Sequence, residues 1–192
     1  MPAMQHFLRK MHLTKETSEA DLIRRSIDGD GRAQKAIFDR LAPKMLALAL
    51  RYMGERESAE DMLQEGFVTL FSKIGDYSGE GSFEGWARKI FVNTALMSLR
   101  KKDALRGSET LAEAESLEGG VPDGMDKMGY KELLGLVAEL PGIYRTAFNL
   151  FVIEGYSHRE IALALGITEA TSRSHVQRAR AMLKKKIERS RK

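Results

Sequence analysis

The stretch from Ser157 to Lys186, SHREIALALGITEATSRSHVQRARAMLKKK, constrains the fold of this chain more than any other. Ser157 and Glu160 have the S-x-x-E spacing of a capping box, in which two free amides at a helix start are satisfied reciprocally. Ile161, Ala162 and Leu165 follow at helical steps until Gly166-Ile167-Thr168 interrupts them. Ala162, four residues before Gly166, is small where two helices must approach closely. Thr168 can start a second, arginine-rich run, since its hydroxyl accepts from amides two or three residues on. Together these features outline a helix-turn-helix, whose second helix fits the DNA major groove. On that helix Thr171, Arg173, Ser174, Gln177 and Arg178 share a face at a 3.6-residue period, with Val176, Ala179, Met182 and Leu183 toward the opposite side. Arg and Gln can read base edges, and Thr or Ser can bond to bases or phosphates. A solvated basic helix closing a bundle is the alternative, but it requires neither the capped first helix nor the glycine turn.

Charge supports the first reading. From Gly166 to Lys192 nine Lys and Arg stand against two acids, Glu169 and Glu188, a surplus of seven in a chain whose net charge is only +4. Such a surplus is the footprint of a polyanion partner, although a basic tail also serves solubility. Cysteine is absent, which excludes disulfides and thiolate metal sites. No apolar run approaches the roughly 20 residues of a membrane span, and the first 18 residues lack the apolar core of a signal peptide. A soluble, cytoplasmic protein is expected. His158-Arg159-Glu160 is not H-E-x-x-H, and the glycines at 75–81 lack the lysine and strand context of a P-loop. No enzyme activity, metal or cofactor is expected.

Helical periodicity organises the rest. Residues 1–18 form an extension. Asp21 is placed to cap the short run LIRRSI, which stops at Asp28-Gly29-Asp30. Ala36, Ile37, Leu41, Met45, Leu46, Ala49 and Leu50 mark an amphipathic helix over 32–53, with Pro43 as a candidate bend. Ser58 to Asp61 has the spacing of another helix start, and Met62, Leu63, Phe67, Val68, Leu70 and Phe71 carry that helix to about Ile74. The segment 75–81 is glycine-rich, and Ser82 then caps a helix from Phe83 to about Lys102. Residues 19–103 thus make one helical domain. Residues 104–126 carry interspersed acids and small residues and read as a flexible acidic linker. Apolar steps from Tyr130 to Leu140 and from Tyr144 to Val152 supply the base of a second domain, 127–188, before a basic tail at 189–192. The fold class is all-α, two small helical domains on a tether.

Two motifs in the first domain complete the pattern: Asp61-Met62-Leu63-Gln64-Glu65-Gly66-Phe67, and Phe83-Glu84-Gly85-Trp86 followed by Ile90, Asn93 and Arg100. With Leu140-Pro141-Gly142-Ile143-Tyr144-Arg145 and the helix-turn-helix, the chain resembles the extracytoplasmic-function group of the sigma-70 family over about residues 20–188. The resemblance implies a region 2 domain and a region 4 domain. It implies that Asp61, Gln64, Glu65 and Phe67 match the D-x-x-Q-E-x-F helix that docks on the β′ clamp of core RNA polymerase. Asp61, Gln64 and Glu65 also fall on one polar face suited to arginines of a partner. That face is otherwise a solvated acidic stripe, and Phe67 reads better as core than as interface. For the −10 promoter element the resemblance implies a base-trapping loop and helix: Tyr77, Glu80, Ser82, Trp86 and Asn93, with Lys89, Arg100, Lys101 and Lys102 for phosphates. Trp86 reads equally as a pocket wall or a core anchor, and Asn93 also as an exposed polar residue. The second domain, through Thr171, Arg173, Ser174, Gln177 and Arg178, would then read the −35 element as duplex.

The implied partners are core polymerase, through its clamp helices and β flap, and promoter DNA; the resemblance also permits an anti-sigma factor. Three positions depart from the family pattern: Met97 stands where aspartate is frequent, Ser172 where a valine usually packs, and His175 where arginine is frequent. A buried Ser172 hydroxyl would need a partner. The rival readings are a dimeric helix-turn-helix regulator that binds an operator without polymerase, and a helical interaction protein that binds no DNA.

Overall fold

A computed structural model describes residues 18–105 and 128–190. Among these, all regular elements are helical: α1 (Glu19–Ile27), α2 (Gly31–Met53), α3 (Arg56–Lys73), α4 (Phe83–Leu105), α5 (Met128–Ala138), α6 (Gly142–Phe148), α7 (His158–Leu165) and α8 (Glu169–Ser190). A 3-10 turn, Ile74–Asp76, follows α3, and a π-helical turn, Asn149–Ile153, extends α6. The expected extension up to residue 17, the linker from 106 to 126 and the tail's last two residues lie outside the described residues.

Helix boundaries differ from the expected ones where a different side chain captures the free amides. Ser18, not Asp21, caps α1: its Oγ accepts from the Asp21 amide at 3.2 Å. Asp21 instead pairs with Arg24, whose hydrogen bond holds the carboxyl below its ordinary range. Asp30 begins α2, accepting from the Arg32 amide at 2.8 Å. Pro43 does not end that helix, which continues to Met53. Helix α3 starts at Arg56, ahead of Ser58, whose hydroxyl donates to Glu55 rather than capping. Ser82 caps α4 as expected, accepting from the Gly85 amide at 3.0 Å, and α4 runs on through Ala104 and Leu105.

The main core joins α2, α3 and α4 through Met45, Leu48, Tyr52, Met62, Leu70, Phe83 and Phe91. Gly66 permits the close approach of α3 to α4, since a Cβ there would lie 2.3 Å from the Phe91 ring. This core does not stop at the first domain: Leu150 and Ile161, from the C-terminal part, belong to it. A smaller core joins Val137 and Leu140 to Ala179 and Leu183 of α8. The two helical bodies are therefore packed against each other, not merely tethered.

Candidate functional site

The sequence motif of the first body lands on the outer face of α3. Asp61, Gln64 and Glu65 are exposed and, with Asn93 of α4, line a groove of about 640 Å³ between the two helices. Glu65 accepts from the Ser98 hydroxyl at 3.2 Å across it. Phe67 points the other way. It is 4% exposed and meets Phe38, Phe71 and Phe91 at centroid distances of 4.5 to 6.0 Å, so it anchors α3 rather than offering a contact. Two apolar residues also line the groove: Met97, noted above as a departure from the family pattern and 69% exposed, and Val68, 71% exposed, which was not singled out for this face from the sequence. Val68 had read as one more apolar step of α3. Its spacing was the available signal: seven, four and three residues after Asp61, Gln64 and Glu65, it falls on their face of the helix.

Before α4 lies an aromatic cluster. Tyr77, Phe83 and Trp86 have centroids 5.3 to 5.6 Å apart, and the Tyr77 hydroxyl donates to the Gly81 carbonyl at 2.7 Å, closing the loop on itself. Trp86 is half-buried, with Glu80 exposed on the loop. Asn93 follows Trp86 by two turns of α4, which puts both on one side of that helix. Lys89 and Lys101 are exposed. Arg100 is engaged, donating to the Ala164 carbonyl at the end of α7.

In the second body the expected helix-turn-helix forms. Ser157 Oγ accepts from the Glu160 amide at 3.2 Å, while the Glu160 carboxylate accepts from the Ser157 hydroxyl at 2.7 Å and from its amide at 2.8 Å, bonds that hold the carboxyl below its ordinary range. Gly166 closes α7 in the left-handed region, and Thr168 Oγ1 accepts from the Thr171 amide at 3.1 Å to open α8. Val176, Ala179 and Leu183 are buried, whereas Arg173, Gln177 and Arg178 are exposed and Thr171 and Ser174 half-buried. Arg173 pairs with Glu169 at 3.0 Å, and Arg178 donates to the Tyr144 hydroxyl at 3.1 Å. His175 packs edge-on against Tyr144, and burial pushes its imidazole below the ordinary range.

Between the bodies is a polar joint that periodicity did not indicate. The last carbonyls of a helix need donors from outside it. At the end of α2 these come from the second body: Asn149 Nδ2 donates to the Arg51 carbonyl at 2.9 Å, and Arg145 Nη2 to the Met53 carbonyl at 3.0 Å. The Arg145 charge also complements the negative end of the helix dipole. Gly54, at φ +79°, both ends α2 and makes room, because a Cβ there would lie 2.5 Å from Arg145 Nη1. Beside this cap, the Glu154 carboxylate, 4% exposed, accepts from Arg51 at 3.2 Å and from Arg88 at 2.5 and 2.8 Å.

Comparison with known proteins agrees with both halves. The family pattern described as Sigma-70 region 2 matches residues 37–105, and that described as Sigma-70, region 4 matches residues 130–183. The chain is 29% identical to the RNA polymerase sigma-H factor of Pseudomonas aeruginosa, over 92% of this chain and 96% of that protein. It is likewise 29% identical to the ECF RNA polymerase sigma-E factor of Haemophilus influenzae, over 92% of this chain and 98% of that one. It is 32% identical to the ECF RNA polymerase sigma factor SigE of Mycolicibacterium smegmatis, over 74% of this chain but only 57% of the relative. Among solved structures, the sigma factor RpoE in complex with the anti-sigma factor NepR from Bartonella quintana shares the fold, with a TM-score of 0.51 at 21% identity over 80% of this chain and 96% of that one.

Proposed function

This chain belongs to the extracytoplasmic-function group of RNA polymerase sigma factors, within the sigma-70 family, and on that premise we propose how its two bodies divide the work of promoter selection. The exposed stripe of Asp61, Gln64 and Glu65 docks on basic residues of the polymerase β′ clamp, with Phe67 holding the stripe's helix in place. The aromatic loop and α4, through Tyr77, Glu80, Ser82, Trp86 and Asn93, take up the opened −10 strand. Lys89, Arg100 and Lys101 meet its phosphates. Helix α8 enters the major groove of the −35 element and presents Thr171, Arg173, Ser174, Gln177 and Arg178. The bond-forming chemistry of transcription belongs to the polymerase; this chain contributes recognition and strand opening. It works where the polymerase and the promoter are, in the cytoplasm.

The observation that carries this reading is the groove between α3 and α4, where two motifs 32 residues apart, at Asp61 and Asn93, meet on one exposed face. Distance adds a requirement. Elements about 25 base pairs apart are separated by roughly 85 Å of duplex, at 3.4 Å per pair. A compact chain of this length has a radius of gyration of only about 16 Å. The joint at the end of α2 therefore opens before both elements are read at once. Opening also frees Arg100 from Ala164. Residues 106–127 are long enough to reach about 70 Å if extended. Two weak readers on a tether gain affinity when polymerase sets their spacing. A basic partner helix would suit the acidic stripe equally if it came from an anti-sigma factor, so such a factor would compete with polymerase there.

Run-off transcription with core RNA polymerase on a genomic DNA pool tests the proposal. Addition of the purified chain yields a restricted set of starts sharing upstream elements. Starts identical to those of core polymerase alone, together with tight operator binding in the absence of polymerase, would establish the operator-binding regulator instead.

A further inference from the structure

Ser172 stands on α8 between Thr171 and Arg173, two side chains assigned above to the −35 element. Unlike them it is fully buried, at 0% exposure. A buried hydroxyl that finds no partner forfeits the hydrogen bonds water supplied. Here the partner is His158 Nδ1, 3.0 Å away on the first residue of α7. The imidazole is itself held flat against Phe151, with centroids 4.3 Å apart and planes 14° apart, and Arg180 lies over the Phe151 ring at 5.6 Å. One hydrogen bond thus ties the start of α7 to the opening turns of α8. A stacked column ties both to the π-helical turn and to α8 two turns further on. A hydrogen bond tolerates a narrow range of distance and angle. An apolar contact is non-directional and can slide. Rolling α8 about its axis would carry Arg173 and Gln177 along the base edges, where recognition depends on well-aligned pairs of hydrogen bonds.

We infer that His158 is a positioning residue for the recognition helix: through Ser172 it sets the roll of α8 and so helps decide which −35 sequences are selected. The inference rests on the proposed function and deepens it. The residue acts through Ser172, not through a base. The hydrogen bond and the stack have different consequences when removed, because His158→Phe keeps an aromatic ring on Phe151 but loses the ring nitrogen. His158→Asn places an amide atom close to where Nδ1 was.

The test uses the full chain with core RNA polymerase, a library of random upstream segments and sequencing of the transcripts. His158→Phe and Ser172→Ala are expected to redistribute base preference in the −35 segment by about threefold or more at one or more positions, with the −10 preference as in the unaltered chain. His158→Asn is expected to stay within about twofold of the unaltered chain at every position. The double variant His158→Phe, Ser172→Ala is expected to shift no further than either single one, because both remove the same bond. Unmoved −35 preferences in both single variants overturn the inference. So does a uniform fall in output with no redistribution, which is what simple destabilisation produces. If His158→Phe does not fold, Ser172→Ala, which removes one oxygen atom, decides the matter alone. Should the unaltered chain select no promoters at all, the proposed function fails and this inference with it. Selective transcription with unmoved −35 preference overturns the inference only.

Discussion

Asn149 Nδ2 donates to the backbone carbonyl of Arg51 at 2.9 Å across 98 positions of sequence. Asn149 is fully buried, so docking of the second body replaces water at the end of α2 with a fixed donor. Arg145 does the same for Met53, and Glu154 meets two arginines beside them. The bodies are therefore joined by directional polar contacts surrounded by apolar ones. Such contacts are strong when matched and costly when half removed.

Glu154→Ala removes the carboxylate that Arg51 and Arg88 share. Breaking a buried charge pair costs roughly 3–5 kcal/mol, and the lower figure applies because Arg88 keeps 35% of its side chain exposed. Urea denaturation of the variant is expected to show a loss of about 3 kcal/mol. A loss below about 1 kcal/mol would mean that the carboxylate adds little to the joint.

Gly54→Ala forces a side chain into a left-handed backbone and against Arg145. The backbone strain alone costs about 1–2 kcal/mol. A lower unfolding midpoint is expected, together with a larger radius of gyration in solution scattering as Arg145 is displaced. An unchanged radius would show that Arg145 accommodates the methyl group without releasing α2.

Glu65→Lys reverses charge at the centre of the acidic stripe. Exposed substitutions of this kind change stability by less than about 0.5 kcal/mol. Affinity for core polymerase should nevertheless fall at least about tenfold, equivalent to 1.4 kcal/mol. Titration of labelled chain with core enzyme measures it, and undiminished affinity would leave the stripe as plain solvated surface.

Arg178→Ala removes an exposed guanidinium from the recognition face and its hydrogen bond to Tyr144. If Arg178 reads a guanine, the variant loses about 1–3 kcal/mol at one −35 position and becomes tolerant of other bases there. Transcription from templates mutated singly across the −35 segment reports this. An equal loss on all templates would assign Arg178 to a phosphate.

Stability should also depend on pH near neutrality. Burial pushes the His158 and His175 imidazoles below their ordinary value, and Arg173 and Arg178 respectively add to the effect. The unfolded chain therefore takes up protons first as pH falls through about 6.5. Stability is greater above that pH and is lost as pH falls toward the folded-state values. The thermal midpoint should be lower at about pH 5.5 than at about pH 7.5, and His175→Phe should narrow the gap. Asp30 and Glu160, held low by Arg25 and by Ser157, act in the same direction only nearer pH 4.

What could be read from the sequence was whatever depends on neighbours within a turn or two. Capping pairs such as Ser157 with Glu160, the apolar steps of α2 and α8, and the one-sided spacing of Asp61, Gln64 and Glu65 are local properties of a helix, repeated every 3.6 residues. Those spacings carried the family resemblance, and with it the expected roles of the polar stripe and the arginine-rich helix face. Even the need of Ser172 for a partner was legible, because a small polar residue on a buried face announces an unsatisfied hydroxyl. Which atom would answer it was not. His158 Nδ1, the Arg51–Glu154–Arg88 cluster and the two donors that finish α2 are partners 14 to 103 positions apart. No periodicity reaches that far, and on a helix wheel Arg51 and Arg88 look like ordinary solvated charges. Only the docking of one body on the other brings those groups into a common low-dielectric space, where each polar atom must find a partner. Helix-by-helix order was thus decided by the chain's local chemistry, and the joint between the two bodies by their packing.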